Sequence, residues 1–479
     1  MMSRTILPPP YAGTRVPRLA EVPAFVQSIG SGWAEPDVEA PVSEGAARAA
    51  RAHRSRLIER AGADVIVVGA GRAPVRSNDT AYDFRADSDF VWLAGCGVQH
   101  AVLVIRAGAS DHTATLFMPP PARPGENGFF SDAEYGELWV GASAGLATWS
   151  SALGIQVRPL ADLDEVLAAT PGAWASAGTD PDLVRRHGLQ VESELSTALS
   201  DLRMVKDPWE VDQLRQAVDD TVAGFDAVLA EIPAAVAGGG ERWLQGTFDR
   251  HARTVGNGPG YATIVGSGPH SPTLHWVRCD GPVLPSAPLL LDMGVETRTL
   301  YTADVTRTVP PSGRFSDAER RVHDLVENAH RRAMSHVRPG RTYSDFHFAA
   351  MEVIARGLHD WGLLPVSVDE ALSPQGQQHR RYLVCGIGHH LGLDVHDCTR
   401  SSYEAYQGGT MAPGMVLTVE PGLYFHTHDT TVPPELRGVG IRLEDDLLVT
   451  EEGADVLSGT LPISAEEIEG WVRRALSTR

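Results

Sequence analysis

Lysine is almost missing from this chain: of its 41 basic residues, Lys206 is the single lysine and arginine supplies the rest. That excludes a GxxxxGK phosphate loop, and a pyridoxal Schiff base would have to use Lys206. Lys206 stands in DLRMVKDPWEVDQLR, which reads as the charged start of an exposed helix. Cysteine is scarce too. Cys96, Cys279, Cys385 and Cys398 form no CxxC pair, which argues against a cysteine zinc site, and in a chain of this size they read as reduced thiols. No stretch stays apolar over the roughly 18 residues a membrane helix needs. The start, MMSRTILPPPYAGTRVPRL, lacks the apolar core of a signal peptide, so a cytoplasmic location is expected. Positive charge is outweighed: a formal net charge of -20 repels nucleic acid and anionic membranes, and neither is expected as a partner.

What is present is an ordinary globular composition, 43% hydrophobic and 21% charged, over 479 residues. That length predicts two domains. Residues 1–45, rich in Pro, Gly and small side chains, read as an extended arm without its own core. From 46 to 200 a helical stretch, the apolar run ADVIVVGAG, then HAVLVIRAG, TATLFMPPP and DLDEVLAA predict an α/β layer domain. LRMVKDPWEVDQLRQAVDDTVAGFDAVLAEI predicts one long amphipathic helix, with Val211, Leu214, Val218 and Val222 at helical spacing, opening a second domain over 201–479. Two familiar spellings are set aside. GAGRAP (69–74) has Pro74 where a dinucleotide fingerprint needs its third glycine, and GASAG around Ser143 follows only a brief apolar stretch. Both read as loops.

The second half holds the chemistry. PLLLDMGVE and MVLTVEPGLY echo each other, each an apolar strand ending in a carboxylate, Asp292 or Glu420. They suggest two related halves, each delivering a carboxylate to a shared centre. Asp304 lies in TADVTRTV, and a hairpin turning near Arg298 sets Asp292 and Asp304 opposite each other on an antiparallel pair. Two such aspartates repel and are costly to bury without a cation. In GIRLEDDLLVT, Glu444, Asp445 and Asp446 are alternatives among which this reading does not choose. In GIGHHLGLDVHD, three histidines, His389, His390 and His396, fall within eight residues. Carboxylates with an imidazole suit hard or borderline ions such as Mn²⁺. Two such ions about 3.5–4 Å apart can hold a hydroxide and polarise a carbonyl together, giving amide hydrolysis without a serine or cysteine nucleophile.

In order along the chain, GYATIVGSGPHSPTLHW, LLLDMGVETRTLYTADVTRTV, GIGHHLGLDVHD, LTVEPGLYF and GVGIRLEDDLLVT resemble the catalytic motifs of aminopeptidase P. This is the pita-bread metallopeptidase family that also contains prolidase and methionine aminopeptidase. RADSDFVWLAG resembles its N-terminal partner domain. The resemblance implies an α/β (α+β) protein: a C-terminal pita-bread catalytic domain and a smaller N-terminal domain of the creatinase/aminopeptidase P type. It implies that Asp292, Asp304, His389, Glu420 and Glu444 hold two divalent ions, usually manganese. Asp304 and Glu444 bridge them, Asp292 completes one sphere, and His389 and Glu420 complete the other. It further implies that Glu420 shuttles protons, that His275 and His396 position substrate, and that Arg442 supports the carboxylates. A homodimer or homotetramer is implied as well.

One position departs from the pattern: the histidine usually found four residues before the metal histidine is Cys385 here, which cannot donate as imidazolium does. The expected activity is removal of the first residue from peptides with proline second. The alternatives are a prolidase, restricted to dipeptides; a hydrolase refitted for another substrate; and a non-catalytic binding module, against which the retained ligand set speaks.

Overall fold

Apolar runs such as VIVVG and VLVI, without alternation, belong to strands covered on both faces. In the computed structural model they build the centre of a mixed sheet. The structure describes residues 18–108 and 111–477, and the chain divides into two units, one ending at Leu199 and the other beginning at Ser200. In the first, among the described residues, the strand order is Gln156–Pro159, His112–Met118, Val102–Ala107, Val65–Gly69, Trp174–Ala175. The three central strands are antiparallel and the outer two join in parallel. Val67, Val104 and Phe117 pack with Leu163, Leu167 and Leu183.

The two look-alike motifs are loops. Residues 70–74 follow the Val65–Gly69 strand without forming a helix, and Ser143 is exposed between helices Glu137–Val140 and Leu146–Leu153. Of the expected extended arm, residues 1–17 lie outside the described residues. Its remainder is not extended throughout: Pro23–Ile29 is helical with no buried residue. Pro23 takes the first helical position, where its missing N–H leaves nothing unsatisfied.

At the start of the second unit the single long helix expected from LRMVKDPWEVDQLR is two helices, Ser193–Met204 and Pro208–Ala230. The ring of Pro208 disfavours helical backbone at the residue before it. Asp207 instead caps the second helix: its side chain accepts the Glu210 N–H, and the Glu210 carboxylate accepts the Asp207 N–H, both at 2.9 Å. Lys206 therefore falls in the break. It is not the exposed start of a helix but a buried cation, its Nζ 3.2 Å from Asp397 Oδ2.

Beyond it, paired strands run antiparallel. Leu289–Met293 lies between Ile264–Ser267 and Val305–Val309, and Asp445–Val449 lies between Val416–Val419 and Ala454–Val456. Gly422–Phe425 pairs with Val439–Arg442. Helices including Pro208–Ala230, Asp317–Met334 and Asp345–Asp360 turn apolar faces into one core, where Phe225, Phe346, Phe425, Leu291, Leu417 and Leu447 are buried. Each such side chain contributes about 1.5–3 kcal/mol. This frame holds the strand ends that carry the carboxylates. Among the described residues no single helix is long and apolar enough to cross a membrane.

Candidate metal centre

Asp292, near the end of its apolar strand, pairs with Thr306 rather than with Asp304. The turn spans Thr297–Tyr301, with Leu300 at φ +71°, so it is centred one residue later than expected and each cross-strand partner moves by two. Asp304 then stands diagonally from Asp292 on the same face, because residues two apart on a strand share a face. Gly294 makes this approach possible: a Cβ there would collide with the Ala303 carbonyl and lie 2.9 Å from the Tyr261 ring. Tyr261 donates its hydroxyl to Asp292 Oδ1 at 2.6 Å.

The glycine-rich segment around His389 runs beside the strand Val416–Val419, through Glu420 N–H to Ile387 O and Thr418 N–H to His389 O, both 2.9 Å. His389 Nε2 comes to 3.2 Å from Asp304 Oδ2 and 3.5 Å from Glu420 Oε1. Its neighbour His390 is buried in the core, stacked on Tyr343 with ring centroids 5.0 Å apart.

Geometry separates the three acids of LEDD. Glu444 faces Asp292 and Asp304 and accepts the Thr306 hydroxyl at 2.6 Å. Asp445 turns to the other face, where Arg307 donates to it at 2.6 Å and holds its carboxyl far below the usual range against the cost of burial. Asp446 accepts the Asp304 backbone N–H at 3.1 Å. Ligand atoms of Asp292, Asp304 and Glu444 lie within 4.8 Å of one another, as do those of His389, Glu420 and Glu444, and those of Asp304, His389 and His396. Asp304, His389 and Glu444 each belong to two of these groups. Such a donor set, oxygen-rich with imidazole and overlapping, fits hard or borderline divalent cations.

Without cations the site is electrostatically frustrated. Burial lifts Glu420 to about 7, with the charges of Asp304 and Asp292 adding to it. Burial also raises Asp292, and raises Glu444 well above the carboxylate range, helped by Asp304 and Glu420. Burial opposes the charge on His389, but the carboxylates of Asp304 and Glu420 win and hold it at about 9. For Asp304, the His389 hydrogen bond and charge overcome burial and lower the carboxyl.

Raised carboxyls keep protons that the unfolded chain has released. Their stabilising contribution is therefore present below about pH 4.5 and lost as pH rises toward 7. A bound cation displaces these protons and the one on His389, so metal affinity rises with pH. Added divalent metal is expected to raise the melting temperature more near pH 7 than near pH 5; equal shifts at the two contradict this electrostatic picture.

Arg442 is buried and donates from Nε to Thr306 Oγ1 at 3.0 Å, from Nη1 to the Tyr424 hydroxyl at 3.0 Å, and from Nη2 to Asp292 Oδ2. The His396 ring meets His389 edge-on, centroids 4.5 Å apart, and is exposed on its open side. His275 is exposed, near enough to His396 for its charge to lower the His396 pKa after burial and His389 have done so. Cys385 is half-buried. Burial and the nearby Glu420 charge raise its pKa, so it stands beside the carboxylates as a neutral thiol.

Sequence reasoning had not singled out Tyr261, Thr306, Thr418 or Tyr424, each bonded to a residue of the site. Thr306 and Thr418 carried a usable signal: each is two residues from a carboxylate on or next to a strand and so shares its face.

A family model described as Metallopeptidase family M24 matches residues 212–451, and one described as Aminopeptidase P, N-terminal domain matches residues 50–173. Two relatives from Streptomyces coelicolor are named Xaa-Pro aminopeptidase 1 and Xaa-Pro aminopeptidase 2. The first is 42% identical over 94% of this chain and 91% of its own length, the second 44% over 95% and 96%. Among solved structures, the low-pH form of aminopeptidase P from E. coli superposes with a TM-score of 0.79 at 27% identity, covering 91% of this chain and 100% of that one. The Pseudomonas aeruginosa aminopeptidase PepP gives 0.78 at 27%, covering 92% and 100%.

Proposed function

The chain belongs to metallopeptidase family M24, and from that premise we propose that it is a metal-dependent aminopeptidase removing the N-terminal residue from peptides with proline second. The observation that carries the proposal is the convergence of Asp292, Asp304, His389, Glu420 and Glu444 into overlapping ligand groups. Residues 201–479 form the pita-bread catalytic domain in this reading, and 46–200 the aminopeptidase P N-terminal domain. Two Mn²⁺ ions are the proposed cofactors, which Asp292, Asp304, His389, Glu420 and Glu444 would hold. The reading extends to a cytoplasmic homodimer or homotetramer that binds neither nucleic acid nor membranes.

Divalent ions held there would supply an activated water near neutral pH and a Lewis acid for the scissile carbonyl. The chain supplies the rest. Glu420, its Oε1 3.5 Å from His389 Nε2, is placed to take a proton from the attacking water and return it to the departing proline nitrogen. His396, exposed beside His389, and His275 offer ring N–H groups to the oxygen on which charge develops. Tyr261 and Arg442 clamp the two oxygens of Asp292, so the carboxylate cannot swing.

Purified protein with Mn²⁺ is expected to release the first residue of Xaa-Pro-Yaa peptides, and a chelator to stop it. A panel of di-, tri- and longer peptides separates this from a prolidase, which takes dipeptides alone. Cys385 favours one second reading, a pocket refitted for another substrate, because a neutral thiol beside Glu420 donates poorly. Under the main reading Cys385→His raises kcat/KM on Xaa-Pro peptides by about tenfold or more. No gain favours the refitted pocket.

A further inference from the structure

Every basic position of the chain but one is arginine, and the exception is buried. Lys206 Nζ lies 3.2 Å from Asp397 Oδ2, with both side chains 1% exposed. Arg203 donates to the other Asp397 oxygen and, at 2.8 Å, to Asp394. A buried cation–anion cluster is weak as a source of stability, since desolvation offsets the attraction. Its place in the fold suggests another use. Asp397 directly follows His396 and closes the loop 390–397 with its N–H on the His390 carbonyl at 2.9 Å.

The other anchors of this loop lead into the metal centre. Leu391 N–H bonds Val416 O at 3.0 Å, on the strand that runs into Glu420, and Thr302 N–H bonds Gly392 O at 3.0 Å, two residues before Asp304. Lys206 belongs to the same frame, its own N–H on Gly414 O at 2.9 Å and Val205 bridged to Met415. Gly392 lets the pair approach the loop backbone: a Cβ there would strike the Asp397 carboxylate and lie 3.1 Å from Lys206 Cε.

We propose that Lys206, sharing Asp397 with Arg203, is a positioning residue that fixes His396 against His389. Lys206 touches neither metal ligands nor substrate in this account; it acts through Asp397 on the residue that meets the peptide. The inference rests on the peptidase reading of the same site, and in particular on His396 facing substrate.

The test is a double-mutant cycle on kcat/KM for an Xaa-Pro-Yaa peptide, run on Mn²⁺-loaded full-length protein with bound metal measured in each variant. Lys206→Met is expected to lose about 10- to 100-fold with metal content unchanged, and His396→Ala to lose activity as well. In the His396→Ala background Lys206→Met then costs nothing further, because the group it positions is gone. The same fractional loss in both backgrounds overturns the proposal and leaves Lys206 a purely structural cation. Failure of the peptidase reading shows elsewhere, as an inactive parent protein, and full activity of His396→Ala removes the premise and the proposal with it. Should Lys206→Met not accumulate as folded protein, Lys206→Gln runs the same cycle with a smaller loss, since its amide can still donate toward Asp397 but carries no charge. Additivity there counts equally against the proposal.

Discussion

Glu444→Gln leaves the protein folded, lowers turnover of Xaa-Pro peptides on the order of 10³-fold or more, and makes the metal-free protein more stable than its parent. The first effect follows from position, since Glu444 is common to the Asp292–Asp304 group and the His389–Glu420 group. Replacing its charged oxygens by an amide weakens both halves of the centre at once. The second follows from the same crowding. Glu444 is buried among Asp304, Glu420 and Asp292, and all three push its carboxyl upward in addition to burial itself. Glutamine keeps an oxygen to accept the Thr306 hydroxyl and removes the repulsion, a gain of about 1–2 kcal/mol in the absence of metal. Added metal should reverse the order, stabilising the parent more than the variant. Thermal melts with and without Mn²⁺, read beside kcat/KM, check both halves. A destabilised metal-free variant contradicts the claim that the site is strained when empty of cations.

Arg442→Met has the opposite sign. The guanidinium is the cation that faces Asp292, and its three nitrogens serve three different partners, Thr306, Tyr424 and Asp292. Removing it leaves a buried carboxylate cluster without its compensating charge, at about 3–5 kcal/mol. Arg442→Lys does not restore the loss, because one ammonium cannot span three directions from a buried strand. Bound metal partly compensates by supplying positive charge to the same oxygens, so the stability deficit is larger in chelator than in Mn²⁺. Urea unfolding of both variants in the two conditions measures it. A deficit that metal does not change places Arg442 outside the electrostatics of the centre.

These two residues also mark how far the sequence could be read. Asp292 and Asp304 were legible as a pair because each sits on an apolar strand, where an isolated acid is costly. Their register was not, since it depends on a turn whose centre, with Leu300 in the left-handed region, leaves no distinctive spelling. In LEDD, alternation along a strand says that Glu444 and Asp446 share one face and Asp445 the other, but both faces are buried, and which one meets the other carboxylates depends on Arg307, far away in sequence, claiming Asp445. Only the resemblance selected Glu444 beforehand.

Lys206 was misread for a related reason. Its neighbours spell a helix start, which is correct for Asp207 and Pro208, and nothing local announces a buried carboxylate 191 residues away. The strands Val65–Gly69 and Val102–Ala107 were plain because buried strands are written as unbroken apolar runs, whereas short strands such as Gln156–Pro159 and Trp174–Ala175 carried no such run. The helix Pro23–Ile29, with no buried residue, had no such pattern to show.

The most direct test is to titrate metal-free protein with Mn²⁺ while following release of the first residue from an Xaa-Pro-Yaa peptide in the same sample. The account predicts that turnover appears with binding and is complete when about two ions are held per chain, as a pair sharing carboxylates requires. A fully loaded protein that cleaves no Xaa-Pro peptide, or one that cleaves it equally well without metal, contradicts it.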